Sequence, residues 1–152
     1  MGDPNEEVWK MLNVTGNLVE HFSLNEMANN QDGGKLVLTP EVVRHAQMME
    51  ELRKWYNKPM NVNSWYRTKE FNASVGGDPN SCHLDGIATD IALPNLTAQR
   101  ITNFTNKWKL ICEKYGVIGG ISLEPGWLHF DSNNNPTRYG KSNTNFRITD
   151  FR

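Results

Sequence analysis

Four histidines and two cysteines bound the metal and nucleophile chemistry open to this chain: His21, His45, His83 and His129, with Cys82 and Cys112. Two cysteines are too few for a disulfide framework or a cysteine-rich zinc finger, so any metal site must combine histidine with carboxylate. His83, Asp90 and His129 are three potential zinc ligands; six residues separate the first two, and the third lies far downstream. Zinc accepts imidazole nitrogen and carboxylate oxygen, and catalytic sites use three protein ligands and keep a fourth position open. Spacing alone also admits the plainer reading, hydrogen-bonded structural histidines and an aspartate that anchors a turn. Cys82 adjoins His83, so in an extended segment the two point opposite ways and no Cys–His nucleophilic pair is expected.

These residues need elements to position them. Thr39 as N-cap, Pro40 in the first turn and Glu41 near the positive end open a helix. Val42, Ala46, Met49, Leu52 and Tyr56 recur along it at helical spacing, and Asn57-Lys58-Pro59 ends it. His45 falls at the border of that apolar face, where a surface or packing role is expected. Residues 60–66 alternate as a strand, with Met60, Val62, Ser64 and Tyr66 on one face. Residues 67–86, rich in Gly, Asn and Ser, read as a long structured loop, and such loops are often functional. Residues 87–93 form a second strand. A second helix spans about 97–115, with Cys112 on its apolar face and Gly116 as its C-cap. Residues 117–123 and 127–131 read as strands around Glu124-Pro125-Gly126.

At the N-terminus, Val8, Met11, Leu12, Leu18 and Val19 suggest a short helix or an arm over residues 1–20. Ser23 and Glu26 have capping-box spacing, and Gln31-Asp32-Gly33-Gly34 is a loop. The tail from Asn133 is polar and reads as mostly irregular. Strands interleaved with two helices predict an α+β domain over 21–152 with a small antiparallel sheet flanked by helices.

The order Ser64-Trp65-Tyr66-Arg67, then Asn72 with Val75-Gly76-Gly77, then Ser81, His83, Gly86, Ala88 and Asp90, and finally Trp127-Leu128-His129 resembles the zinc D-alanyl-D-alanine carboxypeptidase and endopeptidase family, in its phage-type members. The motifs S-x-Y-R, N-x-x-V-G-G, S-x-H-x-x-G-x-A-x-D and W-x-H lie in that order within residues 20–131. The resemblance implies the Hedgehog/DD-peptidase fold and one zinc ion held by His83, Asp90 and His129. It also implies that Arg67 and Ser81 contact the peptide substrate. A guanidinium pairs bidentately with a carboxylate, which suits a peptide C-terminus or a D-Glu side chain; without the motif, a structural salt bridge is the plainer role for Arg67.

One position departs from the family pattern. Many relatives place an acid three residues before the last histidine, where this chain has Gly126. Glu124 and Asp131 are the acids nearby. If Pro125-Gly126 is a two-residue turn, Glu124 lies opposite Trp127, which shares a face with His129. Glu124 is then diagonal to His129, ~7–8 Å between Cα atoms, and some phage-type relatives carry a glutamate just before W-x-H. Glu124 is therefore the expected general base. Asp131 is the alternative, with capping of the following Asn-rich loop as its plainer role. Trp65 stands where relatives often have glycine and either walls the cleft or packs.

The expected activity is hydrolysis of peptidoglycan stem peptides, by a D,D-carboxypeptidase or an L-Ala-D-Glu-type endopeptidase of phage lysin kind. The alternative is a wall-binding or virion structural module on the same fold with catalysis lost. With 16 Lys and Arg against 17 Asp and Glu, no basic nucleic-acid footprint is expected. No run reaches the ~18 apolar residues of a membrane span, and no signal peptide is read at the N-terminus. Residence in the host cytoplasm or virion before action at the wall, and a monomer, are the corresponding expectations.

Overall fold

The computed structural model describes residues 9–11, 16–28, 34–140 and 142–150. Val8, Leu12 and residues 31–33, part of the arm and loop expected above, lie outside the described residues. Among those described, no helix is long and apolar enough to cross a membrane.

Among the described residues of the N-terminal region, short strands pair in twos. Strands β1 (Trp9–Met11) and β4 (Lys35–Val37) pair antiparallel, as do β2 (Asn17–Val19) and β3 (Phe22–Ser23). Helix α1 (Leu24–Met27) begins with the expected capping box: Ser23 Oγ accepts from Glu26 N, and the Glu26 carboxylate accepts from Ser23 N.

Helix α2 (Pro40–Tyr56) starts where the sequence predicts, with Thr39 Oγ1 accepting from Val42 N at 3.1 Å, and ends at Asn57 in the left-handed region. Helix α4 (Ala98–Tyr115) is capped by Thr97 and Gly116. Between them lie strand β5 (Asn61–Ser64), helix α3 (Lys69–Ser74), a 3-10 turn (Cys82–Asp85) and strand β6 (Ala88–Ala92). The loop expected over 67–86 thus contains a capped helix. At six residues α3 is too short to show a period, and its signature is Thr68, whose hydroxyl accepts from Phe71 N at 3.1 Å.

Strands β7 (Gly120–Glu124) and β8 (Trp127–Asp131) form a hairpin in which Glu124 pairs with Trp127 across a two-residue turn. Gly126 takes φ +79° there, a conformation that L side chains resist and glycine does not. The main sheet has the order β5-β6-β8-β7-β9. Its last strand, β9 (Arg147–Asp150), comes from the tail expected to be irregular and runs parallel to β7. Two β-branched residues flanked by charged ones, Arg-Ile-Thr-Asp, give little sequence signal over four positions, yet the strand covers the β7 edge. The remaining pairings in this sheet are antiparallel.

One face of the sheet is apolar and packs on α2 and α4. Ile91, Leu128 and Phe130 are buried there, with Phe104 and Trp108 of α4 in ring contact with Phe130 at 6.0 and 5.4 Å. Each such fully buried side chain is worth roughly 1.5–3 kcal/mol. The other face is polar. In β5 the expected shared face of Val62 and Ser64 is broken by a register shift between them: Val62 pairs with Ile91, and Ser64 with Asp90. The extra residue, Asn63, moves Ser64 to the polar face.

Candidate active site

The register of the main sheet lines up one polar row across five strands. Ser64 pairs with Asp90, Asp90 with His129, His129 with Ser122, and Ser122 with Thr149. Period-two alternation places Glu124 and Trp127 in the next row on the same face. This face floors a cleft that Arg67 and Ser81 also line.

His83 enters from the 3-10 turn. Ser81 caps that turn, its hydroxyl accepting from His83 N at 3.2 Å. The His83 ring donates from Nδ1 to the Trp65 carbonyl at 2.6 Å, which fixes the tautomer and leaves Nε2 as a bare lone pair. That Nε2 is buried and makes no hydrogen bond, although Asp90 Oδ2 lies 3.1 Å away. His129 Nδ1 is 2.8 Å from Asp90 Oδ1. One ligand atom from each of His83, Asp90 and His129 fits within a 4.8 Å span. An orphaned imidazole nitrogen, a buried carboxylate and a second imidazole make a donor set that suits zinc, so these residues fit the ion.

The electrostatics agree with a cation-binding site. Burial alone would raise Asp90, but His83 and His129 hold its carboxyl well below the usual range. Burial lowers His83, with Asp90 opposing. Burial also opposes charge on His129, yet hydrogen bonds to Asp131 and Asp90 raise it to about 10. The carboxylates of Asp90 and Asp131 thus draw a positive charge into the cluster.

The segment Ser64 to Arg67 clamps this site. Trp65 is fully buried and donates from Nε1 to the Gly86 carbonyl at 2.8 Å, so it packs beneath the turn instead of walling the cleft. Arg67 donates to Ser64 Oγ at 3.1 Å, Asn72 Oδ1 at 3.2 Å and Asp90 Oδ2 at 3.4 Å. Asn72 in turn donates to the Asp78 carbonyl at 2.9 Å. A Cβ on Gly77 would stand 2.0 Å from Asn72 Oδ1, so only glycine leaves room for this amide.

Glu124 is half-buried on the cleft, and burial together with the Asp90 charge raises its pKa. Asp131 is buried and committed: Oδ1 accepts from Asn133 N at 3.1 Å, and Oδ2 lies 3.4 Å from His129 Nε2. The loop-capping role is therefore present, joined by a contact to His129.

Other candidates lie apart. His45 is fully buried between α2 and the sheet, bonded to Ser132 Oγ at 2.8 Å and Thr89 Oγ1 at 2.9 Å, so packing describes it and a surface role does not. Burial pushes the Cys82 thiol up to about 12, which makes it a poor nucleophile. Cys112 is in the core. Glu20, His21 and Glu50 also converge, but His21 Nδ1 and Glu50 Oε2 satisfy one another at 2.5 Å and Glu20 is exposed.

Comparison with curated proteins gives no match. The family model for peptidase M15 matches residues 20–131. That span runs from the entry to β3 through the last residue of β8 and contains the whole clamp and ligand set, and family members are zinc-dependent metallopeptidases. The chain belongs to the peptidase M15 family.

Proposed function

We propose that this chain hydrolyses peptidoglycan stem peptides, as a D,D-carboxypeptidase or an L-Ala-D-Glu-type endopeptidase, in a phage lysin-like role. The observation that carries the reading is the convergence of His83, Asp90 and His129 at the floor of a cleft shared with Arg67 and Glu124. His83, Asp90 and His129 would hold the zinc ion, which would supply Lewis-acid polarisation of the scissile carbonyl and acidification of water. Arg67 has five N–H donors, three of which are engaged, and the remaining two can meet a peptide carboxylate or carbonyl. The Ser81 hydroxyl, while accepting from His83 N, keeps its own hydrogen for substrate. Glu124 takes the proton from the attacking water and returns one to the leaving amine. Asp131, held by His129 and Asn133, positions the His129 ring.

The test is digestion of purified peptidoglycan by the zinc-loaded protein, with mass spectrometry of the muropeptides. Release of D-Ala, or new L-Ala and D-Glu ends, is the expected result and identifies the bond. Stoichiometric zinc with no new products would instead indicate a binding module on this fold.

A further inference from the structure

Strand β9 lies beyond the residues that match the family model, yet it completes the cleft. Arg147 pairs in register with Gly120, and its guanidinium carbon sits 3.9 Å from the centre of the Tyr139 ring. Both residues line the cleft that holds His83, Asp90 and His129. The Tyr139 hydroxyl lies 3.5 Å from Cys82 Sγ, so the ring is tied to the turn that carries His83.

The two arginines that line the cleft, and Arg138 beside Tyr139, differ in what they have left to offer. Arg67 is ion-paired with Asp90. Arg138 pairs with Asp85 and donates to the Asn80 carbonyl and Asn133 Oδ1. Arg147 is exposed, and among the described residues it forms no ion pair with a carboxylate. A guanidinium held over a ring by cation–π attraction keeps its N–H donors for other partners. The guanidinium fork matches a carboxylate.

We infer that Arg147, preorganised on Tyr139, is a second carboxylate-binding group of the cleft and selects peptides with an acidic group near the scissile bond. The position follows from the sheet. Strands are ~4.8 Å apart, so β9 runs about 10 Å from the His129 strand, and extended peptide rises about 3.4 Å per residue. The acidic group therefore lies within about three residues of the bond cut. A substrate reaching from Arg67 to Arg147 carries two anionic groups, one on each side of the metal ligands. This rests on the peptidase reading above.

The experiment is calorimetric titration of the full, zinc-loaded chain with L-Ala-γ-D-Glu-L-Lys-D-Ala-D-Ala. Two analogues follow, one amidated at the D-Glu α-carboxylate and one at the C-terminus, with cleavage followed separately by mass spectrometry. One of the two amidations should weaken binding to the wild type about tenfold or more. In Arg147→Gln that preference should vanish while the effect of the other amidation persists. Arg147→Lys should keep only part of it, because a point charge lacks the fork. Tyr139→Phe should retain it, and Tyr139→Leu should reduce it. Zinc content and circular dichroism check that each variant is folded. Equal discrimination in wild type and Arg147→Gln, or a wild type indifferent to both amidations, overturns the inference even if the peptide is cut. Arg147-dependent binding without any cleavage upholds it and counts against the peptidase reading. A wild type that binds and cuts none of the peptides overturns both.

Discussion

Asp131 sits two residues beyond His129 on β8 and addresses the ring nitrogen that Asp90 does not. His129 Nδ1 is 2.8 Å from Asp90 Oδ1, and Nε2 is 3.4 Å from Asp131 Oδ2. The ring is therefore held between two carboxylates, with Nδ1 presented to the side where His83 Nε2 also points its lone pair. Outer carboxylates of this kind fix the orientation of a ligating histidine and typically matter 10–100-fold. Asp131→Asn should accordingly weaken zinc affinity by about that factor, measured by competition with a chromophoric chelator. Unchanged affinity would leave Asp131 as a cap for the loop through Asn133 and nothing more.

Glu124 and Asp131 make opposite predictions. Glu124 faces the cleft from the end of β7 and contributes no atom to the ligand cluster. Glu124→Gln should keep zinc stoichiometry and thermal stability while lowering the hydrolysis rate by ~10²–10⁴. Full activity in Glu124→Gln would exclude it as the base. Asp131→Asn made in parallel should lose activity in step with zinc occupancy and regain it at saturating zinc.

Much of this arrangement is legible in the sequence because it is written in local chemistry. Thr39 and Gly116 mark helix ends, and Pro125-Gly126 sets the hairpin register that puts Glu124 diagonal to His129. The ligand spacing becomes meaningful once Asp90 and His129 are seen to be in-register partners on neighbouring strands. What stays hidden depends on contacts between distant segments. The shift at Asn63 changes the face of Ser64 without any special residue type. The bond from His83 to the Trp65 carbonyl involves a backbone atom, which no sequence displays. Strand β9 exists because β7 offers an edge, not because four residues of the tail insist on it.

Arg67 has a structural duty as well as the proposed substrate contact. Its three hydrogen bonds tie Ser64, Asn72 and Asp90 together. Lysine preserves the charge but cannot span three partners from one nitrogen in a planar fork. Arg67→Lys should therefore lower kcat/KM at saturating zinc and also weaken zinc binding, because Asp90 loses its brace. Loss of turnover with zinc affinity intact would assign Arg67 to substrate alone. Loss of zinc affinity fully rescued by added metal would assign it to the metal site alone.

The last prediction concerns His45 beneath the sheet. Its ring is sealed between Trp65 and Trp108, with ring centres 5.4 and 5.9 Å away, and both nitrogens bond to hydroxyls. Burial drives its pKa from the ordinary 6.5 to about 3, against a partial pull upward from Asp131. The folded pKa is depressed, so the unfolded chain binds the proton first. The stability that follows is present above about pH 6.5 and is lost progressively as pH falls toward 3. Between pH 7 and 5 the loss from this group is roughly 2 kcal/mol. His45→Gln cannot take up that proton. In the metal-free protein, urea unfolding at pH 7 and 5 should show a decline roughly 2 kcal/mol smaller for the variant than for the wild type. The variant should be the less stable of the two at pH 7, since glutamine does not reproduce the ring packing. Parallel declines would mean that His45 is hydrated or protonated in the folded chain, contrary to its burial between the two tryptophans.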